Sequence, residues 1–220
     1  MISITLIIII LTVLTSYQAF SNYDLADKLI YQPAAVREGQ WSRLITYGVL
    51  HADFTHLLFN MFTFYLFGSY IESIFKLQFG QMTGSIAFIL LYIGGLLISI
   101  LPTYFKERNN YYYKGLGASG AVSAVVFAYI IINPMNFMGI LFIPIMLPAF
   151  LFGFIFVFIS MYLDKKEVGG INHSAHITGG LFGIAFVAAS FAVISHVNIL
   201  LQFIFKIQIT SIGDLFHFGF

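Results

Sequence analysis

Apolar side chains in this chain do not alternate with polar ones at the spacing of a surface helix. They come in long runs separated by short polar segments. Six runs, 2–20, 54–75, 82–101, 119–132, 145–163 and 177–195, approach the roughly 20 mostly apolar residues that a bilayer-spanning helix needs. The pattern predicts an all-α integral membrane protein, with a six-transmembrane-helix bundle over 1–197 and an apolar, interfacial tail at 198–220. The first run has the length of a signal-peptide core, but no Lys or Arg precedes it and no A-x-A site follows, which favours a retained helix. In the fifth run Phe150, Phe152, Phe154, Phe156 and Phe158 recur at the period of a strand. The residues between them are also apolar, so a lipid-exposed helix is expected. Pro144 and Pro148 break the chain just before it and leave 137–143 in the interface.

The fourth run is short. Its 14 residues rise about 21 Å at 1.5 Å each, against a hydrocarbon slab of roughly 30 Å. With Asn133-Pro134 at one surface, Ser119 starts inside the slab, and 111–118 must enter it as irregular backbone. Such backbone is tolerated only where protein buries it or water lines it. A short, recessed fourth helix beside a polar cavity is the expectation.

Composition agrees and removes other classes. Of 220 residues, 60% are hydrophobic and 9% charged, against about 45–50% and about 25% in soluble domains. So few charges cannot wet so much apolar surface, and lipid must be its solvent. The net charge is +1 with no basic stripe, which excludes nucleic acid as a partner. Without cysteine there is no disulfide, thiolate nucleophile or sulfur metal site.

Polar side chains inside such runs are costly and invite a functional reading. His56 and Asn60 lie about 40° apart around one helix and share a face, either as part of a site or as a hydrogen-bonded helix contact. Gly117-Ala118-Ser119-Gly120 sets a serine at a helix start, where unpaired N–H groups favour a developing negative charge. The same residues also make an ordinary cap, and Gly120, Ala124 and Ala128 make a small face for helix contact. His176 opens the sixth run, with Gly179 and Gly183 within about 60° of its direction. Packing these two small faces together brings His176 to Ser119 at the shared end of two parallel helices. A serine hydroxyl becomes a nucleophile when a neutral imidazole takes its proton, so a Ser119–His176 dyad is predicted. The Ser119 backbone N–H, His56 and Asn60 are the expected oxyanion donors. No Asp or Glu lies in the last three runs to complete a triad. His173 and His176 have a metal-ligand spacing, but no H-E-x-x-H and no cysteine accompany them, so no metal or other cofactor is expected. A small transporter is disfavoured by the lack of paired broken helices in two matching halves.

These residues resemble the rhomboid intramembrane serine proteases. Arg43-Leu44-Ile45-Thr46, His51 and His56-Leu57-Leu58-Phe59-Asn60 are similar to that family's first loop and second helix. Gly117-Ala118-Ser119-Gly120 is similar to its Gly-x-Ser-Gly, and Ala175-His176-Ile177-Thr178-Gly179 through Gly183 to its Ala-His-x-x-Gly-x-x-x-Gly. The resemblance implies hydrolysis of a peptide bond in or near a transmembrane segment of another membrane protein. It implies Ser119 as nucleophile, His176 as base, His56 and Asn60 as oxyanion side chains, and His51 in a polar lining that retains water. Gly117, Gly120, Gly179 and Gly183 are assigned to helix packing. It further implies a cell (inner) membrane location with the active site facing outside, and movement of 145–163 and 164–174 to admit substrate. Two positions depart from the pattern: Ser42 stands where a tryptophan often precedes the loop arginine, leaving Trp41 and Arg43 as interface anchors, and Ser123 stands where an aromatic often packs beneath the histidine. Eight of the ten basic residues fall on the loops this topology puts outside, against the positive-inside rule. A non-catalytic relative that binds transmembrane helices is the alternative reading.

Overall fold

The computed structural model describes residues 3–139, 143–166 and 172–218, and it is mostly helical. Helix α1 (Ile4–Ala19) leads into three short helices, α2 (Tyr23–Leu29), α3 (Pro33–Arg37) and α4 (Arg43–Thr46). Helices α5 (Phe54–Phe79), α6 (Gln81–Ser99), α7 (Leu101–Glu107) and α8 (Ser119–Ile132) follow. Strands β1 (Phe137–Gly139) and β2 (Ile145–Pro148) precede α9 (Ala149–Lys166), α10 (His173–Ile194), α11 (Ile199–Lys206) and β3 (His217–Phe218). Among the described residues two stretches, Gln81–Glu107 and His173–Ile194, are long and apolar enough to cross a bilayer by length and composition, while Ile4–Ala19, Ser119–Ile132 and Ala149–Asp164 are apolar but shorter.

Two boundaries differ from the sequence reading. Residues 145–148 are not the start of the fifth helix but strand β2, paired antiparallel with β1 (Phe137↔Pro148) and with β3 (Met146↔His217). The protein is therefore not wholly helical. Two prolines within five residues deny this segment a helix, and its backbone finds partners in the neighbouring strands. Residues 140–142 of the expected interfacial stretch, and 167–171 of the loop expected to move, lie outside the described residues. The last long helix begins at His173, three residues before His176, because Asn172 caps it by accepting from Ala175 N at 3.0 Å. The tail is tied down: α11 packs on α8 and α10, and Lys206 Nζ donates to Ile132 O, an open carbonyl at the α8 C-terminus, at 2.8 Å.

Helix α8 occupies the centre, with Ala121, Ala124, Val125 and Ala128 buried. Its closest neighbour is α10. A Cβ on Gly179 would sit 2.2 Å from Gly120 O, and one on Gly183 would sit 2.1 Å from Ala124 O, so backbone meets backbone. At the other end of α5, buried Glu72 fixes α1. Its carboxylate accepts from Ser3 Oγ at 2.7 Å, Ile4 N and Thr5 N at 2.9 Å, and Thr5 Oγ1 at 2.7 Å, and it pairs with Lys76. The open N–H groups of α1 are thus capped by a side chain from another helix.

Thermal unfolding in micelles checks both contacts. Gly183→Val should lose about 3 kcal/mol by forcing α10 off α8. Glu72→Ala should lose a similar amount, about 3 kcal/mol, by leaving several buried donors unpaired. Unchanged melting of either variant would mean the contact is not tight.

Candidate active site

Ser119 is the first residue of α8, one position after the cap residue Ala118. The chain enters through Gly117, whose φ of +112° suits glycine alone and whose N–H donates to Tyr47 O at 3.1 Å. A Cβ at Gly117 would lie 2.9 Å from His56 Cε1 and 3.2 Å from Nε2. Gly117 thus serves a turn and a close approach to an imidazole, rather than the helix packing expected of it. The N–H groups of Ser119, Gly120 and Ala121 all precede the first helical bond, Val122 N to Ala118 O at 3.0 Å, so they face forward from the helix start beside the Ser119 hydroxyl.

Helix α10 brings His176 to this point. Its Nε2 lies 2.8 Å from Ser119 Oγ. One ring face stacks on Phe156 of α9, with centroids 6.1 Å apart at 30°, and His173 meets it edge-on at 6.0 Å. Ser123 is buried and carries no ring, and the stacked partner comes from Phe156 on α9 instead. Among the described residues no carboxylate hydrogen-bonds the His176 ring.

His56 stands in the first turn of α5, which Asp53 caps by accepting from His56 N at 2.8 Å. Ala52 N donates to His56 Nδ1 at 3.4 Å, assigning the ring proton to Nε2, the nitrogen beside Gly117. Buried Asn60, one turn on, spends one N–H on His56 O at 3.1 Å, and its amide carries a second. His51 packs edge-on against His56, centroids 4.9 Å apart. It is buried and reaches α1: Ser16 Oγ donates to Val49 O at 2.7 Å and so accepts from His51 Nδ1 at 3.0 Å.

The loop ahead of α5 is knotted by Arg43, which is buried and not an interface anchor. It donates to Gln40 Oε1 at 2.6 Å, Asp27 O at 2.6 Å and Ile30 O at 2.7 Å. Trp41 is exposed. Lys114 ties the segment before Ser119 to α2 through Asp27 Oδ1 at 2.7 Å, and this hydrogen bond holds the Asp27 carboxyl below its usual range.

Sequence reasoning missed two residues here. Asn172 joins the start of α10 to α7 and to the loop before Ser119, donating from Nδ2 to Thr103 Oγ1 at 2.7 Å and to Tyr113 OH at 3.4 Å. An Asn just before a helix is a capping signal, hidden while the helix was taken to start later. Phe156 had no distinguishing signal among its neighbouring phenylalanines. Chemically, a hydroxyl on an imidazole, with backbone and side-chain N–H donors converging nearby, is the set that acyl transfer requires. Among the described residues no three His, Cys, Asp or Glu side chains are arranged to hold a metal.

Comparison with known proteins agrees with this framework. Residues 38–193 match the Rhomboid domain family. The Bacillus subtilis protein YdcA is 32% identical over 142 residues, which cover 64% of this chain and 52% of YdcA. The rhomboid protease GluP of the same organism is 30% identical over 162 residues, covering 70% of this chain and 27% of GluP. RHOMBOID-like protein 12, mitochondrial, of Arabidopsis thaliana is 26% identical over 175 residues, 76% of this chain and 52% of that protein. The chain therefore spans about half the length of two of these relatives and about a quarter of the third. Because the matched region runs from the loop before α4 through α10 and takes in both Ser119 and His176, the chain belongs to the rhomboid family, whose members are integral membrane proteins.

Proposed function

We propose that this chain is an intramembrane serine endopeptidase that cleaves a peptide bond in or near the transmembrane segment of other membrane proteins. The observation that carries this reading is the 2.8 Å contact between Ser119 Oγ and His176 Nε2, made by two helices that both start at the same end of the bundle. Ser119 Oγ attacks the scissile carbonyl carbon as its proton passes to His176 Nε2. The oxyanion is met by the Ser119 N–H, His56 Nε2–H and the free Asn60 N–H. The imidazolium then protonates the leaving amine. Water, retained by a polar lining that includes His51, hydrolyses the acyl-enzyme with His176 again as base.

In this reading α1, α5, α6, α8, α9 and α10 are the six spans, 1–197 is the protease unit, and 198–220 is an interfacial tail. Helix α9, with Phe154 and Phe158 exposed, is the lateral gate. The active site opens to the outside of the cell membrane. The positive-inside rule weighs against this, but several of the basic side chains concerned are engaged within the loops. Arg43 is buried on backbone carbonyls, Lys114 is paired with Asp27, and Arg37 bonds Asn109 and Tyr111 OH. A non-catalytic, helix-binding role has no observation in its favour that the protease reading lacks.

Cleavage of a single-span reporter in liposomes tests the activity. Ser119→Ala and His176→Ala should each lower it by about 1,000-fold or more, and His56→Ala by about 100-fold. Activity surviving both of the first two substitutions would contradict the dyad. The chain has no cysteine, so Arg108→Cys gives a single label for orientation. Reaction with a membrane-impermeant maleimide from outside the cell is expected, and reaction only from the cytoplasmic side would reverse the topology.

A further inference from the structure

An imidazole that must line up with a hydroxyl has to be stopped from turning about its own side-chain bonds. The hydrogen bond to Ser119 fixes one atom of His176, and the plane of the ring needs a second contact. His173 stands nearly perpendicular to it, at 82°. The ring that lies nearest to parallel with the imidazole is Phe156, at 30°.

Phe156 is itself wedged. Phe127 of α8 leans on it with centroids 5.9 Å apart. Phe127 reaches that place by crossing Gly180, where a Cβ would lie 2.8 Å from its ring, one turn beyond His176 on α10. One turn before Phe156, Gly153 lets α9 sit down on α8, since a Cβ there would lie 3.1 Å from Ile130 Cδ1. The aromatic column therefore runs from α8 through α9 to the imidazole on α10.

We propose that Phe156 is a positioning residue for His176, and that because α9 carries it, proton transfer from Ser119 is coupled to the seating of α9 on α8. This rests on the Ser119–His176 reading given above. With α9 seated, the Phe156 ring holds the imidazole plane and Nε2 faces Oγ. With α9 displaced outward, the ring leaves and the base loses its fixed orientation. The helix whose movement admits substrate thus sets the base only once it has closed again.

The test is the rate at which a small water-soluble fluorophosphonate modifies Ser119 in the full chain in micelles, since this probe needs no helix-sized opening. Phe156→Leu and Phe156→Ala should slow modification by about 10-fold, as expected for a misdirected catalytic group, while Phe156→Tyr keeps the native rate within about twofold. Gly153→Leu keeps the phenylalanine side chain at 156 but lifts α9 and withdraws its ring from His176, and should slow modification comparably. A native rate in Phe156→Leu, or faster modification in Phe156→Ala or Gly153→Leu, would overturn the proposal and leave Phe156 as a barrier only. Melting temperatures separate unfolding from misorientation, and if Phe156→Ala does not fold, Phe156→Leu and Gly153→Leu decide the matter. If Ser119→Ala does not abolish modification, or His176→Ala does not slow it, the dyad reading itself has failed.

Discussion

Two carbonyl oxygens, those of Gly120 and Ala124, occupy the places where side chains on Gly179 and Gly183 would be. This approach of α8 to α10 is the constraint on which the remaining geometry depends. In lipid there is little hydrophobic force between helices, and association depends on close packing and polar contacts. Backbone this close sets both the spacing and the register of the two helices. Register in turn decides which residues of α10 stand level with the first turn of α8, and His176 is one of them. A helix pair held apart by ordinary side chains would put several more ångströms between Ser119 and any imidazole.

Around that pair, polar groups do what apolar packing alone does not. Glu72 gives α1 a definite depth against α5, and Ser16 on α1 then meets His51, which braces His56. Arg43 gathers carbonyls from the α2 region and Lys114 fastens the segment leading to Ser119. Asn172 links the start of α10 to α7 and Tyr113. Each is a hydrogen-bonded tie between elements far apart in sequence, and together they hold the ends of the helices that present the site. In a dry environment an unmet partner at any of these ties would be costly.

Local signals in the sequence carried much of this. The apolar run at 119–132, bounded by Gly-Ala before and Asn-Pro after, coincides with α8. The small faces of that run and of 177–195 are the faces that meet. What stayed hidden was non-local. The small sheet needs a third strand from 217–218, some 70 residues after its partner, and no local pattern announces such pairing. The Asn172 cap was concealed because the chain before Ile177 is polar and reads as loop until the cap is seen to open a helix. Five alternating phenylalanines give no hint that one of them meets an imidazole, since that choice is made by the tilt of α9. Glu72 could be placed at the far end of α5 from His56, but its partners at Ser3, Ile4 and Thr5 follow only from the packing of α1.

The central claim is that one serine hydroxyl is activated by one imidazole delivered across the α8–α10 contact. The most direct measurement is mass-spectrometric mapping of the adduct left by a fluorophosphonate on the intact protein. The account predicts a single modified residue, Ser119, and loss of the adduct when His176 is replaced by alanine. An adduct on any other residue, or one on Ser119 that forms equally well without His176, would contradict it.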